Sequence, residues 1–156
     1  MTKNEGDWLT SSGPVAASYR KRYPHSSGSV GAARREVVAF ARACGFSAQE
    51  LADIEAAVGE GLANSVEHAK SSDEGIEVTA TRNGGTLVIE IKDSGGGFDH
   101  GRVCANARPP IEAPRGFGTF IMRELMDEVS YSEVGTRLRL VKRLAAAARQ
   151  RTTAQA

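Results

Sequence analysis

The chain has 156 residues, 40% of which are hydrophobic, and its formal net charge at pH 7 is +1. This length and composition are typical of one globular domain with a buried core, and they disfavour a second catalytic domain. The small net charge lacks the basic excess that nucleic-acid-binding proteins carry, so we expect no direct binding to nucleic acid.

The sequence also predicts a location for the protein. Its first residues lack the basic start and apolar run of a signal peptide, and no stretch approaches the roughly 18 apolar residues that a membrane helix needs. Cys44 and Cys104 have no metal-ligand spacing with a histidine or with each other, and they suit a reducing interior. We therefore expect a cytoplasmic protein that makes no contact with a membrane.

The first part of the chain predicts a strand and a helix. Residues 1–14 are polar and are interpreted as a flexible leader, and residues 17–23 as the first strand. Apolar residues then recur at helical spacing from Val30 to Cys44, until Gly45 supplies a C-terminal stop.

A second helix is predicted over residues 48–68. Ser47 and Glu50 have the spacing of a capping box, in which the two side chains satisfy backbone N–H groups at a helix start. Four apolar residues at helical spacing are expected to form its buried stripe: Leu51, Ile54, Val58 and Leu62.

The middle of the chain predicts a hairpin followed by a long loop. Apolar and polar residues alternate over residues 76–80, and Asn-Gly-Gly at residues 83–85 is typical of a hairpin turn. The partner strand covers residues 86–92 and ends at Asp93. Residues 100–114 have no periodicity and contain three prolines, so we expect a mobile lid there.

The last part of the chain predicts a third helix over residues 117–126 and two strands over residues 129–132 and 137–141. Phe117, Ile121 and Leu125, four residues apart, indicate this helix. Its side chains at Phe120, Ile121 and Met122 are expected in the core rather than at a cofactor.

Together these elements predict an α+β two-layer sandwich, in which a mixed, mostly antiparallel sheet is covered on one face by helices. The domain is expected to span residues 15–143, followed by a helical or frayed tail over residues 144–156.

The second helix carries two polar residues that leave its buried stripe. Glu60 and Asn64 lie four residues apart and therefore on one helical face. Gly59 and Gly61 flank the carboxylate, and each weakens a helix by about 1 kcal/mol relative to alanine. Something other than helix stability must therefore account for these glycines, although a solvated helix surface remains the simple alternative for Glu60 and Asn64.

Two glycine-rich segments follow. Asp-Ser-Gly-Gly-Gly-Phe-Asp at residues 93–99 puts a carboxylate at the exit of a strand, beside glycines that let backbone approach a ligand closely. Arg-Gly-Phe-Gly-Thr at residues 115–119 opens a helix whose free N–H groups and dipole favour phosphate oxygens. The simpler alternatives are a tight turn at the first segment and a plain helix start at the second.

The order of these blocks resembles that of the GHKL ATPases, which have an N box, a first glycine box, a mobile lid and a second glycine box. Within that superfamily the chain is similar to the bacterial anti-sigma-factor serine kinases, the RsbW-like branch. The resemblance covers residues 19–141 and includes Met-Asp-Glu-Val at residues 126–129 and Gly135-Thr136.

The resemblance implies that ATP and Mg²⁺ are the cofactors. It implies that Asp93 accepts a hydrogen bond from the exocyclic amine of adenine with support from Thr136, that Asn64 is the Mg²⁺ ligand, and that Glu60 is the general base. The glycine boxes then supply the remaining nucleotide contacts, at Gly95, Gly97, Arg115, Gly116, Phe117, Gly118 and Thr119.

His68 lies one turn after Asn64 but is not expected to be a metal ligand. No second histidine or cysteine has the helical spacing that a shared metal would need. A structural role near the helix end is favoured.

The leading functional hypothesis is a serine kinase that phosphorylates an anti-anti-sigma (STAS-type) partner and sequesters a sigma factor; both partners are implied by the resemblance. It also implies a homodimer, with the first strand as the interface. The alternatives are an ATP-binding switch that transfers no phosphate, a kinase of another partner-switching pathway, and the catalytic part of a sensor histidine kinase or ATP-driven clamp. The chain's length disfavours the last.

Overall fold

The structure is a computed structural model that describes residues 17–68, 75–93, 117–132 and 136–145. Within these ranges the chain forms five strands and three helices. In chain order they are β1 (Ala17–Tyr23), α1 (Ser27–Ala43), α2 (Ala48–His68), β2 (Ile76–Asn83), β3 (Thr86–Asp93), α3 (Phe117–Leu125), β4 (Glu128–Tyr131) and β5 (Arg137–Arg143).

The strands form one sheet in the order β1-β2-β3-β5-β4, which places β1 and β4 at its edges. The predicted α+β architecture is confirmed, but its mixed component needs correction, because each pairing between the described strands is antiparallel. The segment between β3 and β5 contains α3 and the short strand β4, so β5 returns beside β3 in the opposite direction.

The predicted hairpin joins β2 and β3 by a two-residue turn between Asn83 and Thr86. Gly84 occupies this turn with φ of 59°, a backbone conformation that glycine adopts without steric cost. The Arg82 Nε atom donates to the Gly84 carbonyl oxygen at 2.9 Å and braces the turn.

The end of α1 confirms the predicted stop at Gly45. This glycine has φ of 93°, and its N–H donates to the Arg42 carbonyl at 3.0 Å. The N–H of Phe46 donates to the Ala41 carbonyl at 3.4 Å, which completes a Schellman motif. The Phe46 side chain is buried, so the chain turns inward before α2 begins.

The capping box at the start of α2 is also confirmed. The Ser47 N–H donates to Glu50 Oε2 at 2.7 Å, and the Glu50 N–H donates to Ser47 Oγ at 3.2 Å. The second Glu50 oxygen accepts a hydrogen bond from the Ala145 N–H at 2.8 Å. One carboxylate therefore ties the first turn of α2 to the chain just after β5.

The core lies between the helices and one face of the sheet. Residues that alternate along β2 and β3 point toward the helices, and the predicted stripe of α2 packs on them. The buried members of these three elements include Ile76, Val78, Ala80, Leu87, Ile89, Ile91, Leu51, Ile54, Val58 and Leu62.

Of the α3 residues expected in the core, Met122 is buried as predicted, whereas Phe120 and Ile121 are only partly buried. Phe117 and Leu125 are partly buried too, and Thr119 is buried. This helix has apolar residues on two neighbouring faces, so periodicity alone could not decide which face packs. The structure turns the face of Thr119 and Met122 toward the interior.

The bounds of the last elements also differ from the predictions. Helix α3 ends at Leu125 and β4 covers Glu128–Tyr131, each one residue earlier than expected. Strand β5 continues to Arg143 rather than 141 because it pairs with β3 along its whole length, as far as Thr86 opposite Arg143.

The leader, the lid and most of the tail lie outside the described residues, so the domain boundaries at residues 15 and 143 remain predictions. After β5, the Leu144 N–H donates to the Gly85 carbonyl at 2.8 Å and holds the chain against the β2–β3 turn. In the described part of the chain, none of the helices combines the length and apolar character that crossing a membrane requires.

Candidate functional site

The site is built around the C-terminal half of α2. Glu60 and Asn64 are both half-buried there, one turn apart, on the side of the helix that faces α3. Among the described residues, the Glu60 carboxylate forms no ion pair or side-chain hydrogen bond. A carboxylate and an amide therefore lie side by side.

Gly118, in the first turn of α3, lies directly against this pair. A Cβ atom added to Gly118 would come 2.8 Å from Glu60 Oε2, 3.6 Å from Asn64 Nδ2 and 3.7 Å from Asn64 Oδ1. Any other residue would therefore press on the carboxylate. The structure thus brings together three of the predicted site residues, from two separate motifs.

Gly61 explains how α2 comes so close to the sheet. A Cβ atom on Gly61 would lie 2.6 Å from Leu138 Cδ2 and 3.0 Å from Ile91 Cδ1. This close approach is the structural reason for a glycine that helix propensity disfavours. The helix that carries Glu60 and Asn64 is therefore seated directly on β3 and β5.

Asp93 and Thr136 meet at the ends of those two strands. The Asp93 N–H donates to the Thr136 carbonyl oxygen at 2.9 Å, one step beyond the pairing of Lys92 with Arg137. Asp93 is two residues beyond Ile91, which is about 7 Å along the strand from the point where Gly61 packs. The two predicted adenine contacts are thus neighbours at one end of the sheet, beneath the α2 layer.

Comparison with known proteins decides the family. A family model described as the histidine kinase-like ATPase domain matches residues 23–142. The chain belongs to the histidine kinase-like ATPases.

Several relatives place this ATPase in the RsbW-like branch. The serine-protein kinase RsbW of Oceanobacillus iheyensis is 33% identical over 109 residues, which are 64% of this chain and 69% of that protein. The anti-sigma F factor of Clostridium kluyveri is 30% identical over 118 residues, covering 70% and 82%. The serine-protein kinase RsbW of Bacillus subtilis is 28% identical over 137 residues, covering 81% and 79%.

The fold agrees with a solved structure. A crystal structure of the RsbU and RsbW domains of a Mycobacterium tuberculosis protein matches this chain with a TM-score of 0.60 and 20% sequence identity. The match covers 81% of this chain and 32% of the other chain. At this identity the likeness shows the fold, and it confirms the two-layer arrangement predicted for the histidine kinase-like ATPase.

Four of the predicted contacts of this ATPase lie outside the described residues: Gly95, Gly97, Arg115 and Gly116. Phe117 is the first residue of α3 and is half-buried, so the free N–H groups of the helix start lie beside Gly118 and the Glu60 carboxylate. Thr119 is also in the first turn, but it is 5% exposed, and its side chain belongs to the interior.

Tyr131 on β4 lies near the site, and sequence reasoning did not point to it. Burial raises the pKa of its hydroxyl, while the nearby Thr119 and Asn64 side chains and the charge of Arg123 act in the opposite direction. Alternation of Val129 and Tyr131 along an edge strand was the available signal, but it could not show that the side chain would lie near α2.

The metal-binding potential of the site rests on Asn64. Within the described ranges, no group of three or more histidine, cysteine, aspartate or glutamate side chains is placed to hold a metal ion. Asn64 offers a neutral oxygen, the type of ligand that Mg²⁺ accepts when phosphates and waters complete its octahedron. The Asn64 amide lies beside the start of α3, where backbone N–H groups favour phosphate oxygens.

Proposed function

We propose that this histidine kinase-like ATPase is an ATP-dependent protein serine/threonine kinase that acts as an anti-sigma factor. The observation that carries the proposal is the contact of Gly118 with Glu60 and Asn64. It sets a carboxylate, an amide and the free N–H groups of a helix start around one small space. The relatives named serine-protein kinase RsbW and anti-sigma F factor support the same activity.

Nucleotide recognition is assigned to the sheet end and the glycine segments. Asp93 would accept a hydrogen bond from the exocyclic amine of adenine, and guanine has a carbonyl at that position, so this contact favours ATP. Thr136 supports Asp93, to which its backbone is bonded. Gly95 and Gly97 would lie under the base and ribose, and Arg115, Gly116 and the start of α3 at the phosphates.

Asn64 is proposed as the protein ligand of Mg²⁺, through its side-chain oxygen. When bound together with ATP, the ion neutralises charge on the phosphates. Asn64 is suited to this role because its side-chain amide lies beside Gly118 and Glu60.

Glu60 is proposed as the general base. The hydroxyl oxygen of a substrate serine bonds to the γ-phosphorus, its proton passes to the Glu60 carboxylate, and the bond from the γ-phosphorus to the bridging oxygen breaks so that ADP leaves with the electron pair. Gly118 lets the carboxylate lie directly against the start of α3, because a Cβ atom there would come 2.8 Å from Glu60 Oε2.

The partners are proposed from the relatives. The substrate would be a serine of an anti-anti-sigma (STAS-type) protein. This chain would also bind a sigma factor and sequester it in the cytoplasm. A homodimer through β1 is consistent with the position of that strand at an edge of the sheet, where its outer backbone groups can pair with a second copy.

The test uses the purified chain, labelled ATP and an anti-anti-sigma protein. We expect transfer to a serine of that protein, and Glu60→Gln should lower the transfer rate by about 10²–10⁴-fold with unchanged ATP affinity. Glu124→Gln is the matched control, because Glu124 is exposed on α3.

One outcome would contradict the assignment of the base, and another would contradict the kinase. Full transfer by Glu60→Gln would remove the base from the mechanism. Tight binding of ATP and the sigma factor without any transfer by the wild-type chain would instead identify a nucleotide-dependent binding switch.

A further inference from the structure

Lys142 lies on the core face of β5, where a charged side chain is unexpected. Leu138 and Leu140 precede it at alternate positions and are buried against the helices, so the alternation of the strand directs the lysine toward the same layer. Its side chain is only 13% exposed. A lysine at such a position needs partners, because a buried cation without them is costly.

Two helices supply these partners. The Lys142 ammonium donates to the Leu125 carbonyl oxygen at 2.6 Å and to Asp53 Oδ2 at 3.1 Å. Leu125 is the last residue of α3, and Asp53 lies in the second turn of α2. The other Asp53 oxygen accepts a hydrogen bond from Gln49 Nε2 at 3.1 Å, which holds the carboxylate on its own helix. One ammonium therefore joins β5, α2 and α3.

The charge of Lys142 suits the end of α3. The last carbonyl groups of a helix have no partner within the helix, and the helix dipole places partial negative charge there. The ammonium satisfies the Leu125 carbonyl, while the Asp53 carboxylate balances its positive charge. This contact therefore holds the end of α3 at one level along α2.

The opposite end of α3 contacts the site. A Cβ atom on Gly118 would lie 2.8 Å from Glu60 Oε2, so the first turn of α3 rests against this carboxylate. The span from Asp53 to Glu60 on α2 equals the span from Gly118 to Leu125 on α3, about 10 Å in each case. The two helices are thus antiparallel and meet at both ends, through Lys142 at one end and through the glycine at the other.

The two ends differ in how they resist sliding of one helix along the other. At the site end glycine has no side chain, and among the described residues Glu60 makes no ion pair or side-chain hydrogen bond. Between the ends, Met122 packs beside Gly61 through a flexible thioether, and apolar packing is non-directional. The bonds of Lys142 are directional, so they are suited to fix the level.

We propose that Lys142 is a positioning residue that sets the level of α3 along α2 and so keeps Gly118 against the Glu60 carboxylate. It acts on phosphate transfer indirectly, through α3. The inference rests on the proposed role of Glu60 as the general base.

The expected consequence is a loss of rate rather than of binding. Lys142→Met removes the ammonium and keeps most of the aliphatic stem. Because a misplacement of about 1 Å can cost about 100-fold in rate, we expect a smaller shift of α3 to lower kcat for phosphate transfer by about 10-fold. The KM for the anti-anti-sigma protein and the affinity for ATP should not change.

The experiment measures kcat and KM for transfer in two backgrounds, the wild-type chain and Glu60→Gln. In Glu60→Gln the base is already absent, so adding Lys142→Met should leave the residual rate almost unchanged, because both residues act on the same step. A mere loss of folded protein would instead lower the rate by the same factor in both backgrounds. Urea unfolding gives the folded fraction of each variant.

Two further variants complete the test. Asp53→Ala breaks the same contact from the side of α2, and it should reproduce the loss of rate even where Lys142→Met does not fold. Arg139→Met is the matched control, because Arg139 is on the same strand but on its outer face, where it pairs with Glu128 at 3.8 Å. It should transfer phosphate at the wild-type rate.

The outcomes separate this inference from the proposed function. If folded Lys142→Met and Asp53→Ala transfer at the wild-type rate, or lose the same factor in both backgrounds, the positioning role is overturned and the kinase proposal stands. If Glu60→Gln transfers at full rate, the assignment of the base fails and the inference fails with it. If the wild-type chain transfers no phosphate, the kinase proposal itself fails, and the inference falls too.

Discussion

The two edges of the sheet use tyrosine in different ways. In the β1 cluster, formed by Tyr19, Lys21, Tyr23 and Glu36, all three strand residues donate to one carboxylate of α1. Tyr19 Oη reaches Glu36 Oε2 at 2.6 Å, Lys21 Nζ reaches Oε1 at 2.8 Å, and the Tyr23 hydroxyl bonds to Oε2 as well.

At the opposite edge, Tyr131 on β4 lies near Asn64 and Thr119, and the Glu60 carboxylate beside them lies against Gly118. Polar groups of the β1 cluster are directed at one another and hold a strand to a helix. The Glu60 carboxylate and the Asn64 amide instead lie against Gly118, and among the described residues the carboxylate forms no ion pair. The difference teaches that burial and hydrogen bonding alone do not mark a functional site.

Among the variants that test the contrast between the two edges, the largest expected effect is that of Gly118→Ala on phosphate transfer. The new methyl group would displace the Glu60 carboxylate, and a misplacement of about 1 Å can cost about 100-fold in rate. Stability should hold or rise, because the displaced atom ends a flexible side chain and alanine favours a helix by up to about 1 kcal/mol. Transfer assays and thermal unfolding together check this.

Gly28→Ala is the control for that variant. Gly28 is also in the first turn of a helix, but its nearest neighbour, Ser26 Oγ, is 4.0 Å from the added Cβ atom. It should transfer phosphate at the wild-type rate. A Gly118→Ala protein with full activity would show that the close contact of residue 118 with Glu60 has no functional role. The contrast between the two edges of the sheet would then lose its basis.

A second effect compares two glycines on α2. Gly61→Ala would force a methyl group onto Leu138 and Ile91 under the site, and we expect a loss of about 1–3 kcal/mol in the free energy of unfolding. Gly59→Ala faces Arg34 on α1, 3.4 Å away, an ordinary contact, so it should stabilise the helix by up to about 1 kcal/mol. Urea unfolding of both variants measures the difference, and equal stabilities would contradict it.

Glu36→Gln tests the β1 cluster directly. It removes the negative charge that accepts three hydrogen bonds, and a loss of about 1–2 kcal/mol in unfolding free energy is expected after allowing for the carboxylate's partial exposure. ATP affinity should not change. A variant that loses nucleotide binding but not stability would reverse the roles assigned to the two edges.

The smallest effect at neutral pH concerns titration of the β1 cluster. Burial raises the pKa values of Tyr19 and Tyr23, and the hydrogen bond to Glu36 raises them further. Burial also works to raise the pKa of Glu36, but Lys21 and the two hydroxyls outweigh it and leave that pKa lowered.

The directions of these pKa shifts define the pH range over which the β1 cluster stabilises the fold. The lowered pKa of Glu36 stabilises the fold above its usual value of 4.5, and this contribution disappears as the pH falls through the lowered pKa. The raised tyrosine pKa values stabilise the fold up to the usual value of 10.0, and this contribution declines as the pH rises beyond it. In Tyr23→Phe the free energy of unfolding, measured with urea, should fall less steeply at alkaline pH. In Tyr131→Phe the contribution of the β1 cluster to that free energy should be retained.

Local chemistry made much of the fold predictable. The Schellman glycine at Gly45, the capping box of Ser47 and Glu50, and the Asn83 hairpin turn each act within a few residues, so the sequence alone indicated them. The shared helical face of Glu60 and Asn64 was predictable for the same reason, because one helical turn relates them.

Features that depend on distant segments were missed or misjudged. The buried face of α3 depends on how Gly118 meets α2, and α3 has two apolar faces between which its sequence cannot choose. Tyr131 acquires its neighbours only when β4 is added to the sheet beside β5. The roles of Gly95, Gly97, Arg115 and Gly116 remain predictions from the glycine motifs and from the resemblance.

The shared carboxylate of Glu50 has a practical consequence for fusion proteins. It joins the Ala145 N–H to the first turn of α2, about 15 Å along the helix from Glu60. A reporter domain attached directly after Ala145 would strain the N-terminal cap of the helix that carries Glu60. Tags are therefore better attached through a long flexible linker after this junction.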